Sequence, residues 1–202
     1  MLQPIQTARL QLIPFSLTLK KATLEDRSAL EQLLGVHVPP HWPLPDYLEA
    51  LPFFIQLMEN DPKGAIWDSI ILHTADQQVI NDIGFKGGPD EQGMVEIGYS
   101  ILPEYRGAGY ATEMAQGLIS WAFQHISIRC VTAECLDDNI GSIKVLEKIG
   151  MQRLEPDGSM LKWRRERPTH RSTPASGGLR STGTSNGIGA MNRKAEGGNT
   201  LR

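Results

Sequence analysis

Six consecutive residues, Arg106-Gly107-Ala108-Gly109-Tyr110-Ala111, have the composition of an anion cradle. A strand-like run, Val95 to Leu102, precedes them and is stopped by Pro103, which cannot donate to a ladder. A helical stripe follows, with apolar residues at Ala111, Met114, Ala115, Leu118 and Ala122. Small residues at a helix start let backbone N–H groups approach a ligand. Those N–H groups lack intrahelical partners, and the helix dipole favours an anion there. The chemistry implied is the binding of a phosphate or pyrophosphate, although a tight strand-to-helix turn would also call for small residues.

Other chemistries find less support. Gly107 and Gly109 have no third glycine behind them, so the dinucleotide fingerprint is incomplete, and it does not lie in an N-terminal βαβ unit. The sequence has no Gly-x-x-x-x-Gly-Lys-Ser/Thr loop, and residues 1–167 hold no Gly-x-Ser-x-Gly elbow. His37 and His41 are four apart but lie in a loop without a nearby third ligand, so no metal site is expected.

Around the cradle the chain alternates between two periodicities. Ala8 to Phe15 reads as a first strand at a sheet edge, where Pro14 is tolerated. Leu17 to Leu34 reads as one helix, broken near Thr23 and ending at Gly35, with Thr23 and Asp26 resembling a capping box. Val36 to Pro45 holds four prolines in ten residues and must be an irregular, stiff loop. It could wall a substrate site with His41 and Trp42, or its tryptophan could plug the core. Asp46 to Asn60 has a helical stripe. Ala65–His73, Val79–Lys86 and Gly93–Leu102 form a meander of three strands. After the helix at 110–125 come a strand at 127–136, a short helix at 139–149 capped by Asp137 or Asp138, and a closing hairpin. From Pro168 on, Gly, Ser and Thr dominate and too few apolar residues remain to order the chain. The expectation is a domain over 1–167 and a disordered tail over 168–202.

Charge is unevenly spread. The tail carries five basic residues and one acidic one, while residues 1–167 hold 15 basic and 22 acidic residues. A mildly acidic body argues against a nucleic-acid footprint and is compatible with a cationic or amine substrate. Cys130 and Cys135 are five apart, which in a strand puts them on opposite faces and prevents a local bridge. Buried free thiols and a reducing cytoplasm fit that spacing. No apolar run suits a membrane span, so no membrane partner is expected.

The residues also resemble a family. Arg106-Gly107-Ala108-Gly109-Tyr110-Ala111 matches the Arg/Gln-x-x-Gly-x-Gly/Ala signature of the GNAT acetyltransferases. Asn139-x-x-Ser142, followed by Val145-Leu146-Glu147-Lys148-x-Gly150-Met151, is similar to their second motif, in the right order and spacing. The resemblance covers about residues 8–166 and leans towards the ribosomal-protein N-terminal alanine and serine acetyltransferases. It implies an α/β (α+β) fold with a mixed, mostly antiparallel sheet and helices on both faces. It also implies acetyl-CoA as co-substrate and a primary amine as acceptor, either a protein N-terminus or a small molecule; a homodimer is compatible with it. A non-catalytic acyl-CoA-binding or sensing module is the alternative class.

Carried onto this chain, the resemblance places pantetheine in a cleft where the strand before the signature splays from its parallel neighbour. Backbone groups near Ser100, Ile101 and Leu102 would pair with pantetheine and polarise the thioester. Arg106, Gly107, Ala108, Gly109, Tyr110 and Ala111 would hold the pyrophosphate, and Asn139 and Ser142 would contact the CoA arm. An amine must be neutral to attack, so a base is needed. Glu96, flanked by Val95 and Ile97, is the candidate, acting through water. Relatives often place a tyrosine acid where this chain has Leu146, and often a glycine where it has Asn81. Tyr99 could supply the acid, but strand alternation puts it on the face opposite Glu96.

Overall fold

Alternation of apolar and polar residues at 10–14 gives a strand with one face in a core, β2 (Leu10–Pro14). A computed structural model of the chain describes residues 4–61 and 67–168. The short strand β1 (Ile5–Gln6) pairs with β2 and takes the edge position expected of residues 8–15. The sheet continues through β3 (Asp68–His73), β4 (Gln78–Phe85), β5 (Met94–Tyr99) and β6 (Cys130–Leu136) to β8 (Met160–Glu166) and β7 (Gln152–Arg153). Every pairing is antiparallel except β5 with β6. That parallel step needs a long crossover, and α4 (Tyr110–Ala122) supplies it.

Two apolar clusters lie on opposite faces of the sheet, because neighbouring strand residues divide between them. Ile71 joins Met114, Ala115, Leu118 and Ile119 of α4, with Leu146 of α5 (Ile140–Lys148). Ile70 and Leu72 join Leu19 of α1 (Leu17–Glu25), Leu30 of α2 (Arg27–Leu34) and Leu51 of α3 (Pro45–Asn60). Strict alternation along β4 would set Ile80 against α1–α3. A bulge opposite Ile71 and Leu72 reverses the phase, so Ile80 enters the α4 core and Val79 the other.

The break expected near Thr23 in the helix over 17–34 lies three residues on, giving two helices. Asp26 breaks it, with an extended backbone and a side chain that accepts from the Ser28 N–H at 2.9 Å. Thr23 takes no part in that cap, its hydroxyl donating to the Leu19 carbonyl instead. Gly35 ends α2 at φ 68°, as expected. Asn139, not Asp137 or Asp138, caps α5. Trp42 is 1% exposed and plugs the core beneath α1–α3, the second of the two readings of its loop. Both cysteines are free and buried. Apart from Pro168, the expected tail lies outside the described residues.

A charged group sits inside the α1–α3 core. Lys20 on α1 is 1% exposed and donates to Asp68 Oδ2 at 2.5 Å and to the Tyr47 hydroxyl at 2.7 Å. Its ammonium also lies 4.1 Å from the Phe15 ring centre. Desolvation lowers the Lys20 pKa and outweighs the opposing pull of Asp68. Removing one member of such a pair strands the other charge. Lys20→Ala is therefore expected to lower the unfolding free energy by about 3–5 kcal/mol in urea denaturation. A loss below about 1 kcal/mol, the scale of an exposed pair, would contradict a buried role.

Candidate active site

The parallel pairing of β5 and β6 covers only Met94↔Cys130, Val95↔Val131 and Glu96↔Thr132. Both strands run on, β5 to Tyr99 and β6 to Leu136, so they part beyond Glu96 and Thr132. On its other edge β5 stays bonded to β4. Lys86 N–H donates to the Glu96 carbonyl at 2.8 Å, Ser100 N–H to the Asp82 carbonyl at 3.2 Å and Leu102 N–H to the Ile80 carbonyl at 3.1 Å. Antiparallel alternation then turns the amides of Tyr99 and Ile101 towards the opening. Of the three positions expected to meet pantetheine, Ile101 faces the cleft, while the N–H groups of Ser100 and Leu102 are engaged with β4.

One turn of 3₁₀ helix, Pro103–Tyr105, leads from this edge to the cradle. Gly107 and Gly109 adopt φ 79° and 84°, which side chains rarely tolerate. A Cβ at Gly107 would meet nothing within 4 Å, so backbone conformation, not crowding, calls for glycine there. Gly109 caps α4 with no side-chain acceptor, leaving the N–H groups of the first turn for an anion. Arg9, distant in sequence, fastens the loop. Its Nη1 donates to the Ala108 carbonyl at 3.1 Å, its Nε bonds Glu113 Oε2 at 2.7 Å, and its guanidinium lies 4.3 Å from the Tyr110 ring centre. Burial opposes the charge of Glu113, but hydrogen bonds from Thr7 and Arg9 outweigh it and hold the carboxyl below its ordinary range.

Across the cleft, Asn139 Oδ1 accepts from Ser142 N–H at 3.0 Å, so the two expected CoA contacts also form the α5 cap. The Tyr99 hydroxyl is buried without a hydrogen-bond partner. Burial pushes its pKa up to about 12, partly offset by the nearby Ser142 hydroxyl. Leu146, 1% exposed, belongs to the core.

The opposite face of β5 looks towards α1–α3. Glu96 forms an ion pair with Lys86 across the β4–β5 edge and keeps 30% of its side chain exposed. Ser100, on the same face, accepts from Asn81 Nδ2 at 2.5 Å and points its Oγ at Asp82 Oδ1, 3.4 Å away. Asp82 is 7% exposed, and its Oδ2 has no partner. Desolvation first, and the charge of Asp68 second, push its pKa up to about 7, against smaller opposing effects of Ser100, Lys20 and Trp42. His37 and His41 bond Glu31 and Glu104, each at 2.8 Å. Among the described residues no group of three His, Cys, Asp or Glu side chains could hold a metal ion, and no helix is long and apolar enough to cross a membrane.

The description "Acetyltransferase (GNAT) domain" matches residues 16–152. The chain belongs to the GNAT acetyltransferase family. It is accordingly an N-acetyltransferase. The uncharacterized N-acetyltransferase YjdG of Bacillus subtilis (strain 168) is 40% identical over 145 residues, spanning 70% of this chain and 84% of that protein. A GNAT-family acetyltransferase from Bacillus anthracis has the same fold at TM-score 0.56 and 21% identity, over 82% of this chain and 99% of that one. So does RimL, a ribosomal L7/L12 alpha-N-protein acetyltransferase solved with coenzyme A, at TM-score 0.57 and 16% identity, over 81% and 98%.

In this GNAT acetyltransferase the structure brings together the strand edge at 99–101, the cradle at 106–111 and the cap at 139–142. Glu96 and Ser100 lie on the other side of β5. Sequence reasoning missed Arg9, Asp82 and Lys20. The folded chain holds the Asp82 proton more tightly than the unfolded chain, whose pKa lies near 3.8. The contribution of Asp82 is thus most favourable below 3.8 and is lost as pH rises to about 7. Thermal unfolding of the wild type should lose stability between pH 5 and 7, about where this titration lies, and Asp82→Asn should flatten that slope. An unchanged slope in the variant would assign the effect elsewhere.

Proposed function

We propose that the chain moves the acetyl group of acetyl-CoA to a primary amine by direct attack of the amine on the thioester. The observation that carries this reading is the parting of β5 and β6 onto the uncapped start of α4. The unpaired strand edge offers hydrogen bonds to an amide-bearing arm, and the helix start offers N–H groups to a pyrophosphate. Tyr99 and Ile101 would meet pantetheine through their backbones, while the N–H groups of Ser100 and Leu102 stay bonded to β4. Residues 106–111 would hold the pyrophosphate. Asn139 and Ser142 would border the CoA arm at the start of α5.

The acceptor would approach from the α1–α3 face, where Glu96 and Ser100 point. Glu96 stands where the strands part and would take the proton of the arriving ammonium through water, once Lys86 releases its carboxylate. A protein N-terminus is the favoured acceptor class, following the alpha-N-protein activity named for RimL, with small amines as the other class. Two buried free thiols suit a reducing compartment, so we place the reaction in the cytoplasm.

Calorimetry with CoA tests the cradle. Gly109→Glu adds a negative charge and an unfavourable left-handed backbone, and binding should disappear; retained affinity would refute the placement. Acetylation of a panel of Ser- and Ala-initiated peptides, diamines and amino sugars, read as free thiol, identifies the acceptor. Glu96→Gln is expected to slow turnover by about 10²-fold while CoA affinity stays unchanged. Wild-type turnover in Glu96→Gln would remove Glu96 from proton transfer.

A further inference from the structure

Acetylation of a neutral amine moves one proton from nitrogen to sulfur, and the helix position that could donate it holds Leu146, a core residue. Another group must carry that proton. On the acceptor face of β5 the side chains of Asn81, Ser100 and Asp82 form one directed chain. The Asn81 amide donates to Ser100 Oγ at 2.5 Å, which commits the Ser100 proton towards Asp82 Oδ1 at 3.4 Å. A hydroxyl oxygen has two lone pairs, so Ser100 keeps one for a further donor. Asp82 Oδ2 makes no hydrogen bond of ordinary geometry in a site 7% exposed; the indole N–H of Trp42, also unpartnered, is the donor that faces this carboxyl. At 3.4 Å the Ser100–Asp82 hydrogen bond is long, as catalytic hydrogen bonds often are before substrate binds.

We infer that Ser100 and Asp82 form a two-way proton relay, taking the proton from the attacking nitrogen and returning it to the leaving sulfur. The inference rests on the proposed position of the thioester beside residues 99–101. As the nitrogen lone pair forms the C–N bond, the N–H proton passes to Ser100 Oγ and the Ser100 proton passes to Asp82. The C–S bond breaks with its electron pair on sulfur. The relay then runs backwards: Asp82 returns its proton to Ser100, and Ser100 gives one to the thiolate. The sum is amine plus thioester to amide plus thiol, with Ser100 and Asp82 restored. Ser100 touches the reacting atoms, and Asp82 acts through it.

The surroundings suit a carboxyl that works in both directions. Lys20 from α1, Tyr47 from α3, Asp68 from β3 and Trp42 from the Pro-rich loop face this site. Lys20 and Tyr47 are committed to Asp68 Oδ2, so neither competes for Asp82. Burial and the Asp68 charge then place the Asp82 equilibrium near neutrality, where giving and taking a proton are balanced.

The test compares kcat against pH for the wild type, Asp82→Asn, Ser100→Ala, Ser100→Thr and Glu96→Gln, using whichever amine of the panel the wild type acetylates. CoA affinity and thermal unfolding are followed alongside. In the wild type, kcat should rise with pH through about 7 as Asp82 ionises. Asp82→Asn and Ser100→Ala should lower kcat by about 10²–10⁴-fold and lose that limb with CoA affinity unchanged. Ser100→Thr, which keeps the hydroxyl, should restore most of the rate, and Glu96→Gln should retain the limb. A folded Ser100→Ala that keeps both rate and limb overturns the relay, even if Asp82→Asn fails to fold. So does loss of the limb in Glu96→Gln alone. A wild type inactive on every amine of the panel refutes the proposed acetyl transfer itself, a different outcome from an active wild type with an unaffected limb.

Discussion

The parting of β5 and β6 sets the terms for the rest of the molecule. Three residue pairs hold the two strands in parallel, and then the ladder stops while both strands continue. Backbone N–H and C=O groups inside a sheet are obligatory hydrogen-bonding groups. An open edge between two central strands therefore persists only if the surrounding structure holds the strands apart and solvent or substrate serves the edge. β8 holds one strand, through seven registered antiparallel pairs with β6. β4 pulls the other, bonding Ser100 and Leu102 past the last regular pair. The cleft is thus a consequence of topology, and the loop at 106–111 is placed at its end because β5 runs directly into it.

Fixing β5 from one side also divides its two faces. Val95 and Ile97 anchor it in the α4 core, with Tyr99 packed against the same cluster. Glu96 and Ser100 face α1–α3, with the paired Gly84 and Gly98 between them. Gly84 can be nothing else, since a Cβ there would fall 2.5 Å from Asp68 Cα. That closeness is what brings β3 and its Asp68 within electrostatic reach of Asp82. The buried Lys20 then offsets one carboxylate of the pair and leaves the other under-compensated. Hydrophobic packing alone would not produce this imbalance; it follows from two acids and one base sharing a core.

Local features were legible in the sequence, and long-range ones were not. The glycines at 107 and 109, the stop at Pro103, the end of α2 at Gly35 and the stripe of α4 all follow from local backbone rules. The cleft and the sheet order came through the family resemblance, because no periodicity reports which strands part. At α5 three cap-competent residues, Asp137, Asp138 and Asn139, stand in a row, and only the register of the helix selects the last. Arg9 falls in the run expected as an edge strand, and nothing local points to its partners, Ala108 and Glu113, about a hundred residues on. Lys20 stands beside Lys21 on its helix, and nothing in that local pattern marks one lysine for burial. The bulge in β4 left only Asn81 as a trace, and its effect, reversing the phase of the strand, cannot be read from alternation itself.

Leu146 shows how one substitution redistributes a task. It packs among Ile149, Met151 and the strands of the α4 core, where a hydroxyl would need a new partner. Tyr99 brings a phenol to the same helix from the strand, one turn away beside Ser142, but burial holds its proton firmly. A group that keeps its proton can still donate a hydrogen bond, here beside Ser142, yet it yields the proton itself only at a cost. In the proposed reaction the acid and base work falls to the other face of β5, where Glu96 and Asp82 lie and burial brings Asp82 to about 7. Adjacent residues on a strand point to opposite faces. Tyr99 and Ser100 thus flank the strand edge from its two sides, and the proposed reaction divides at that peptide bond, with proton movement on the side of α1–α3.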